Sequence, residues 1–169
     1  MRRWMLVIAA VLFVSGVALA EATEIKLKDF KVKPKFEGSD TPAGVSDDGD
    51  KIFMYVVATA SAEIEVKADG TFKFSIELSG DMAQKDRAKV KLTIGGTDVE
   101  KAFELKQNEA KEYTFKADLK KGKQKIEIEF LNDEFKEGEY DCNFYIHKVS
   151  YEEAKKEDVK KDEVKKDKR

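Results

Sequence analysis

Between Phe130 and His147 the chain places Asn132, Asp133, Glu134, Glu137, Glu139, Asp141 and Asn143 close together. All of these side chains carry oxygen. What such a group can do jointly is hold a hard cation, since Ca²⁺ takes roughly six to eight oxygens at about 2.3–2.6 Å from carboxylates, amide and backbone carbonyls and water. Asp133 and Asp141 are eight residues apart, with Gly138 between them to turn the loop back, so both carboxylates can converge on one ion. The spacing does not fit an EF-hand loop. A second reading stays open beside the first, because surface loops are solvated and collect acids for that reason alone. The run Asp47-Asp48-Gly49-Asp50 reads as a solvated turn within a long loop from Pro34 to Asp50.

The elements that must position this loop follow a period of two. Phe72, Phe74, Ile76 and Leu78 alternate with Lys73, Ser75, Glu77 and Ser79. The rhythm recurs in Ala62, Ile64 and Val66, in Val90, Leu92 and Ile94, in Tyr113, Phe115, Ala117 and Leu119, and in Ile126, Ile128 and Phe130. Successive strand residues point to opposite faces, so each set puts its apolar side chains on one side. Turn residues separate the sets at Ala68-Asp69-Gly70, Gly95-Gly96 and Lys121-Gly122-Lys123. Ile25 to Val32 reads as a further strand, and no helical pattern interrupts the series. The expectation is an all-β protein, two antiparallel sheets packed face to face as in a β-sandwich or jelly roll, over residues 21–151.

Two end segments flank this body. Arg2 and Arg3, the apolar run from Met5 to Val14 and the small-residue ending Ala18-Leu19-Ala20 have the layout of a secretory signal peptide over residues 1–20. The apolar run is shorter than the ~20 residues that span a bilayer, so no membrane insertion is expected, and the localisation expected is secreted or periplasmic, at the cell envelope. Residues 152–169 repeat as EEAKK, EDVKK, DEVKK, DKR. Their apolar positions step by five and make no helical stripe, so the segment reads either as a solvated helix with i to i+4 ion pairs or as disordered chain, available as a spacer or a contact for a protein partner. Without residues 1–20 the chain keeps 30 Lys and Arg against 34 Asp and Glu, which is no footprint for nucleic acid. The single tryptophan, Trp4, falls in the leader, leaving Phe and Tyr as aromatic surfaces. Cys142 is the one cysteine; it cannot close an internal disulfide and reads as a buried apolar residue sharing a strand face with Phe144 and Ile146. His147, the only histidine, reads as packed or hydrogen-bonded rather than catalytic.

The segment IEIEFLNDEFKEGEYDCNFYIHKVSY resembles the closing part of the calcium-dependent, xylan-binding carbohydrate-binding modules of families 36 and 60. These run as an apolar strand, F-x-N-D, a short Gly-containing loop, then D-R-N-L-Y-V-D-x-I. ATASAEIEV, ADGTFKFSIELSGD and AKVKLTIGGTDV are similar to the family's earlier strands in the same order, so the resemblance covers about residues 36–151. It implies a jelly-roll sandwich and a calcium ion whose open positions are filled by adjacent sugar hydroxyls. Carried over, Asn132 and Asp133 correspond to the N-D pair, and Asp141 and Asn143 to the D and N of D-R-N. The resemblance makes Asp133 and Asp141, with Asn132, the metal ligands, and Asn143, Phe135 and Tyr140 the ligand-binding residues; the two Asn can equally pin the loop backbone, and the two rings can stack on sugar or cover the base of the loop. Asp81 and Asp86 are further candidates for a third carboxylate. The chain departs from the pattern where Cys142 replaces Arg and His147 replaces Asp, which puts in doubt a second, structural calcium. No Trp stands in the loop before Val90.

Three functions compete on this reading. The first is a noncatalytic secreted module that binds a polysaccharide or oligosaccharide, xylan-like or related, through loop-bound Ca²⁺. The second is a structural or protein-interaction sandwich of the periplasm or cell surface that has lost sugar binding. The third, glycoside hydrolysis, needs two carboxylates about 5–10 Å apart across a cleft, and no motif in the chain calls for it.

Overall fold

The computed structural model describes residues 22–35, 43–83 and 86–154. The leader expected over residues 1–20 and the charged repeat from residue 155 onward lie outside the described residues. Fifteen strands follow one another: β1 (Thr23–Ile25), β2 (Lys31–Pro34), β3 (Ala43–Val45), β4 (Ile52–Met54), β5 (Ala58–Val66), β6 (Gly70–Gly80), β7 (Met82–Ala83), β8 (Asp86–Arg87), β9 (Lys89–Ile94), β10 (Thr97–Glu104), β11 (Lys111–Leu119), β12 (Gly122–Phe130), β13 (Phe135–Lys136), β14 (Tyr140–Asp141) and β15 (Phe144–Glu153). A 3₁₀ turn, Leu27–Asp29, separates β1 from β2.

The strands form two main antiparallel sheets. One has the order β11-β6-β15-β4-β3, with β1 also on β15; the other has the order β10-β9-β12-β5-β2. The chain crosses between them repeatedly, for example from β5 to β6, β10 to β11 and β11 to β12, as expected of a β-sandwich. Each period-two set becomes the inner face of its strand. Phe74, Ile76, Leu78, Phe144, Ile146 and Val149 from one sheet meet Val90, Leu92, Ile94, Ile126, Ile128 and Phe130 from the other, all essentially removed from solvent. Burying side chains of this size contributes about 1.5–3 kcal/mol each.

Turn chemistry holds the register. Gly95 and Gly96 both take positive φ, +59° and +79°, which the two-residue turn between β9 and β10 requires and which a residue with a Cβ resists. The Asp69 carboxylate accepts from the Lys121 backbone N–H at 2.8 Å, tying together the two turns expected at 68–70 and 121–123.

Three elements differ from the expectation. The stretch from Ile25 to Val32 is not one strand: the 3₁₀ turn buries Leu27 and Phe30 and sends β1 and β2 to different sheets. The segment read as a long loop from Pro34 to Asp50 contains β3, a short strand paired with β4 whose composition, Ala-Gly-Val, carries no alternation. β15 continues through Glu152 and Glu153, opposite Lys73 and Phe72, so the first acids of the charged repeat sit in the sheet. Glu152 meets Lys73 at 3.1 Å.

One end of the sandwich gathers the pieces of the site. β6 ends at Gly80 and β4 at Met54, both opposite Phe144 where β15 begins. From the other sheet β12 ends at Phe130, opposite Val90 of β9. The Phe130 and Phe144 rings stack across the sandwich at 5.7 Å between centroids, and the acidic loop runs directly between them in sequence.

Candidate functional site

The loop is itself a small hairpin. β13 pairs with β14 so that Phe135 lies opposite Asp141 and Lys136 opposite Tyr140, with Gly138 at φ +75° in the turn. The Cys142 N–H donates to the Glu134 carbonyl at 2.9 Å, closing the base. This fold-back brings Asp133 and Asp141 near one another. Burial pushes the Asp133 carboxyl above its ordinary pKa, and the neighbouring Asp141 charge adds to the rise.

Asn143 extends the cluster to a third carboxylate. Its amide nitrogen donates to Asp141 Oδ2 at 3.1 Å and to Asp81 Oδ2 at 3.2 Å. Asp81, just past the end of β6, also takes a hydrogen bond from the Tyr145 hydroxyl at 3.3 Å, and its backbone N–H donates to the Asn143 carbonyl at 2.9 Å. Burial first, and then Asp81 and Tyr55, push the Tyr145 phenol upward, so it stays protonated and able to donate. With its nitrogen spent on the two carboxylates, the Asn143 amide turns its oxygen elsewhere. That oxygen, Asn143 Oδ1, and Asp133 Oδ1 are both buried without a hydrogen-bond partner. A buried acceptor left bare costs about 1–3 kcal/mol, and a cation bound beside either one would relieve it. The donor set is all oxygen, the set a hard divalent ion prefers. Among the described residues no three His, Cys, Asp or Glu side chains come together as a ligand group, so an ion here would draw on amide oxygen and water besides carboxylate.

The remaining sequence candidates take distinct positions. Asn132 Oδ1 accepts from the Lys89 N–H at 2.5 Å and its nitrogen donates to the Arg87 carbonyl at 3.0 Å, which is the backbone-pinning role: it fastens the start of the loop to the junction of β8 and β9. Phe135 points outward, 68% exposed, whereas Tyr140 packs against the core. Asp86 pairs with Lys89 at 3.6 Å. Cys142 is fully buried with Phe144 and Ile146, as expected from their shared face. Its Sγ–H points to the Asp81 carbonyl at 3.5 Å, and burial, with smaller contributions from nearby carboxylates, pushes the thiol up to about 11. His147 occupies a bulge of β15 between Ile146 and Lys148, where Nε2 lies 2.7 Å from Ser79 Oγ.

One participant, Tyr145, was not singled out in the sequence, and a second, Asp81, was named only as one of a pair. Tyr145 joins the cluster because β15 turns it to the outer face of its sheet beside the end of β6. Asp81 was one of two candidates that local sequence could not separate, being distant from the loop along the chain. A concavity of about 700 Å³ on the outer face of the other sheet, lined by Lys31, Lys33, Thr59, Ser61, Glu127 and Glu129 among others, lies away from this cluster.

A sequence profile of the Ca-dependent, xylan-binding carbohydrate-binding modules of family 60 matches residues 73–166. The chain belongs to this family. The matched span begins within β6 and takes in both Asp81 and the whole acidic loop. No curated protein matches the chain. Among solved structures, the CBM36-1 domain of a multidomain xylanase from the hindgut metagenome of Trinervitermes trinervoides is similar over 80% of this chain and 99% of that one, at 18% identity and a TM-score of 0.57. A family 35 module from Clostridium thermocellum aligns over 80% of this chain and 100% of its own, at 12% identity and a TM-score of 0.55. A family 36 module in complex with calcium and xylotriose aligns over 76% and 98%, at 19% identity and a TM-score of 0.53. At these identities the likeness is one of fold, and it establishes the β-sandwich shared by several carbohydrate-binding module families.

Proposed function

We propose that this family 60 module is secreted and noncatalytic, and holds a xylan-like polysaccharide through a calcium ion bound at the loop of residues 132–143. The observation that carries this reading is the pair of bare buried acceptors, Asp133 Oδ1 and Asn143 Oδ1, set beside the Asp141 carboxylate. Asp133 and Asp141 supply the negative charge that a divalent ion needs, and Asn143 supplies a neutral oxygen held in orientation by its two carboxylate partners. When bound, calcium offers coordination positions that adjacent sugar hydroxyls can fill in place of water. The chain's own residues fix the protein half of that shell: Asn132 anchors the loop's entry, the β13–β14 hairpin fixes its return, and Asp81 ties its exit to β6. Phe135, exposed at the rim, offers a ring face for a sugar. The family assignment and the fold shared with a family 36 module in complex with calcium and xylotriose support the ligand class, and the leader-like first residues support export.

Calorimetric titration of xylan fragments into the protein with calcium, then with excess chelator, tests the reading. Binding in calcium and none in chelator is the expected result. Equal affinity in both would remove the metal from recognition and leave stacking by Phe135. Absence of binding to every glycan in a plant and bacterial panel would instead favour the protein-interaction sandwich, a reading that the replacement of the family's Arg by the buried Cys142 also fits.

A further inference from the structure

The outer face of the six-stranded sheet carries three aromatic rings beside the acidic cluster that the binding proposal does not use. Phe53 of β4 stands opposite Tyr145 of β15 in register and leans over Gly44 of β3, the position paired with it on its other side. Tyr55, just past the end of β4, lies 5.1 Å from Phe53 and 6.1 Å from Tyr145 between ring centroids. The Lys51 ammonium caps the Tyr145 ring at 5.4 Å. All three rings are partly exposed, although aromatic side chains on the outer face of a sheet gain nothing from the core. The link to the loop is direct, since the Tyr145 hydroxyl donates to Asp81, which in turn holds Asn143.

We propose that Phe53, Tyr55 and Tyr145 form a stacking platform for the part of a glycan chain that extends beyond the calcium, so that the site reads a length of polysaccharide and not one sugar. This rests on the calcium-dependent reading above and adds a subsite to it. Pyranose rings present apolar C–H faces between their hydroxyls, and an aromatic face beside polar groups meets both parts. Tyr145 belongs to both regions: its ring is part of the platform and its hydroxyl is part of the cluster. That continuity argues for a single chain crossing from one to the other, in place of a separate partner on an unconnected patch.

The test is titration of xylobiose, xylotriose and xylohexaose into the full chain in calcium, comparing the parent with Phe53→Leu, Tyr55→Leu and Tyr55→Phe. Leucine keeps apolar bulk but removes the ring face, and thermal melting checks that each variant folds. Xylohexaose should bind about threefold to tenfold more weakly to each leucine variant, the range given by one ring contact. Xylobiose should be held as by the parent, Tyr55→Phe, which keeps the ring face, should bind xylohexaose more tightly than Tyr55→Leu, and calcium affinity should not change. Calcium-dependent binding whose length dependence is the same in parent and leucine variants overturns the platform and leaves the calcium site standing. So does an equal loss for short and long oligosaccharides. If the parent binds no xylooligosaccharide in calcium, both readings fall.

Discussion

The Asn143 amide donates to Asp81 at 3.2 Å, joining the loop after β14 to the end of β6 across 62 positions of sequence. The same nitrogen also reaches Asp141, so two carboxylates that would repel one another share a donor. Replacing Asp81 by Ala should free Asn143 and Tyr145 from one partner each while leaving the core intact. The expected outcome is a stability loss of about 1 kcal/mol in urea denaturation with a clear fall in calcium affinity. Unchanged calcium affinity would show that Asp81 does not orient the site.

Asp133 gives the site its pH dependence. Burial and Asp141 raise its pKa in the folded chain above the unfolded value of 3.8. The sign follows from proton linkage: between the two pKa values the folded state binds more protons, so the calcium-free protein loses this contribution to stability as pH rises through the folded pKa of Asp133. Calcium binding runs the other way, because the ion competes with that proton. Affinity should therefore fall on acidification at a higher pH than an ordinary carboxylate would give, and Asp133→Asn should abolish calcium binding while relieving the charge repulsion with Asp141. Titrations of calcium from pH 7 to pH 4 read this directly.

Gly80 marks how closely the strands approach beneath the site. A Cβ placed there would meet the Asn143 carbonyl at 2.8 Å, the Ala88 Cβ at 3.0 Å and Leu105 at 3.3 Å. The first contact is with backbone, which cannot rotate away. Gly80→Ala should cost about 1–3 kcal/mol and displace Asn143, lowering calcium affinity together with the melting temperature. Gly138→Ala, where φ is +75° and nothing lies within 4 Å, should cost only backbone strain of about 1 kcal/mol.

The burial of Cys142 predicts slow chemistry. With the thiol pushed up to about 11 and the side chain fully buried, little thiolate forms near neutral pH. A thiol reagent should label the native protein orders of magnitude more slowly than the denatured chain, and nonreducing gels should show monomer. Rapid native labelling would mean that β15 opens at its start, just after Asn143.

Alternation made the long strands legible because each has one wet face and one dry face. β6, β9, β11 and β12 all carry the period-two sets read from sequence. β3 was hidden because three residues cannot display a period, and β10 because its side chains are mostly exposed on both faces. The acidic loop stood out by composition, and its hairpin by Gly138. The involvement of Tyr145, and the choice of Asp81 over Asp86, were not legible, since they depend on β6 and β15 lying side by side, and pairing between strands distant in sequence leaves no local signal. The break between β1 and β2 was missed because Leu27 and Phe30 are apolar whether they sit on a strand or in a 3₁₀ turn.

Asn132 decides between two roles for one residue type. A calcium ligand needs a free oxygen, whereas the Asn132 oxygen accepts from the Lys89 N–H and the nitrogen donates to the Arg87 carbonyl. Pinning therefore uses both ends of the amide, and Asn132→Asp separates the roles. Aspartate keeps the acceptor for Lys89 but presents an oxygen to the Arg87 carbonyl, where two acceptors meet without a proton between them. If Asn132 pins the loop, the aspartate variant should lose about 1–3 kcal/mol of stability and bind calcium less well, because the loop's entry is no longer fixed. If Asn132 ligates the ion, the added charge should raise calcium affinity instead. Urea denaturation paired with calcium titration of the same variant separates the two, since pinning predicts that both quantities fall together and ligation predicts that they move in opposite directions.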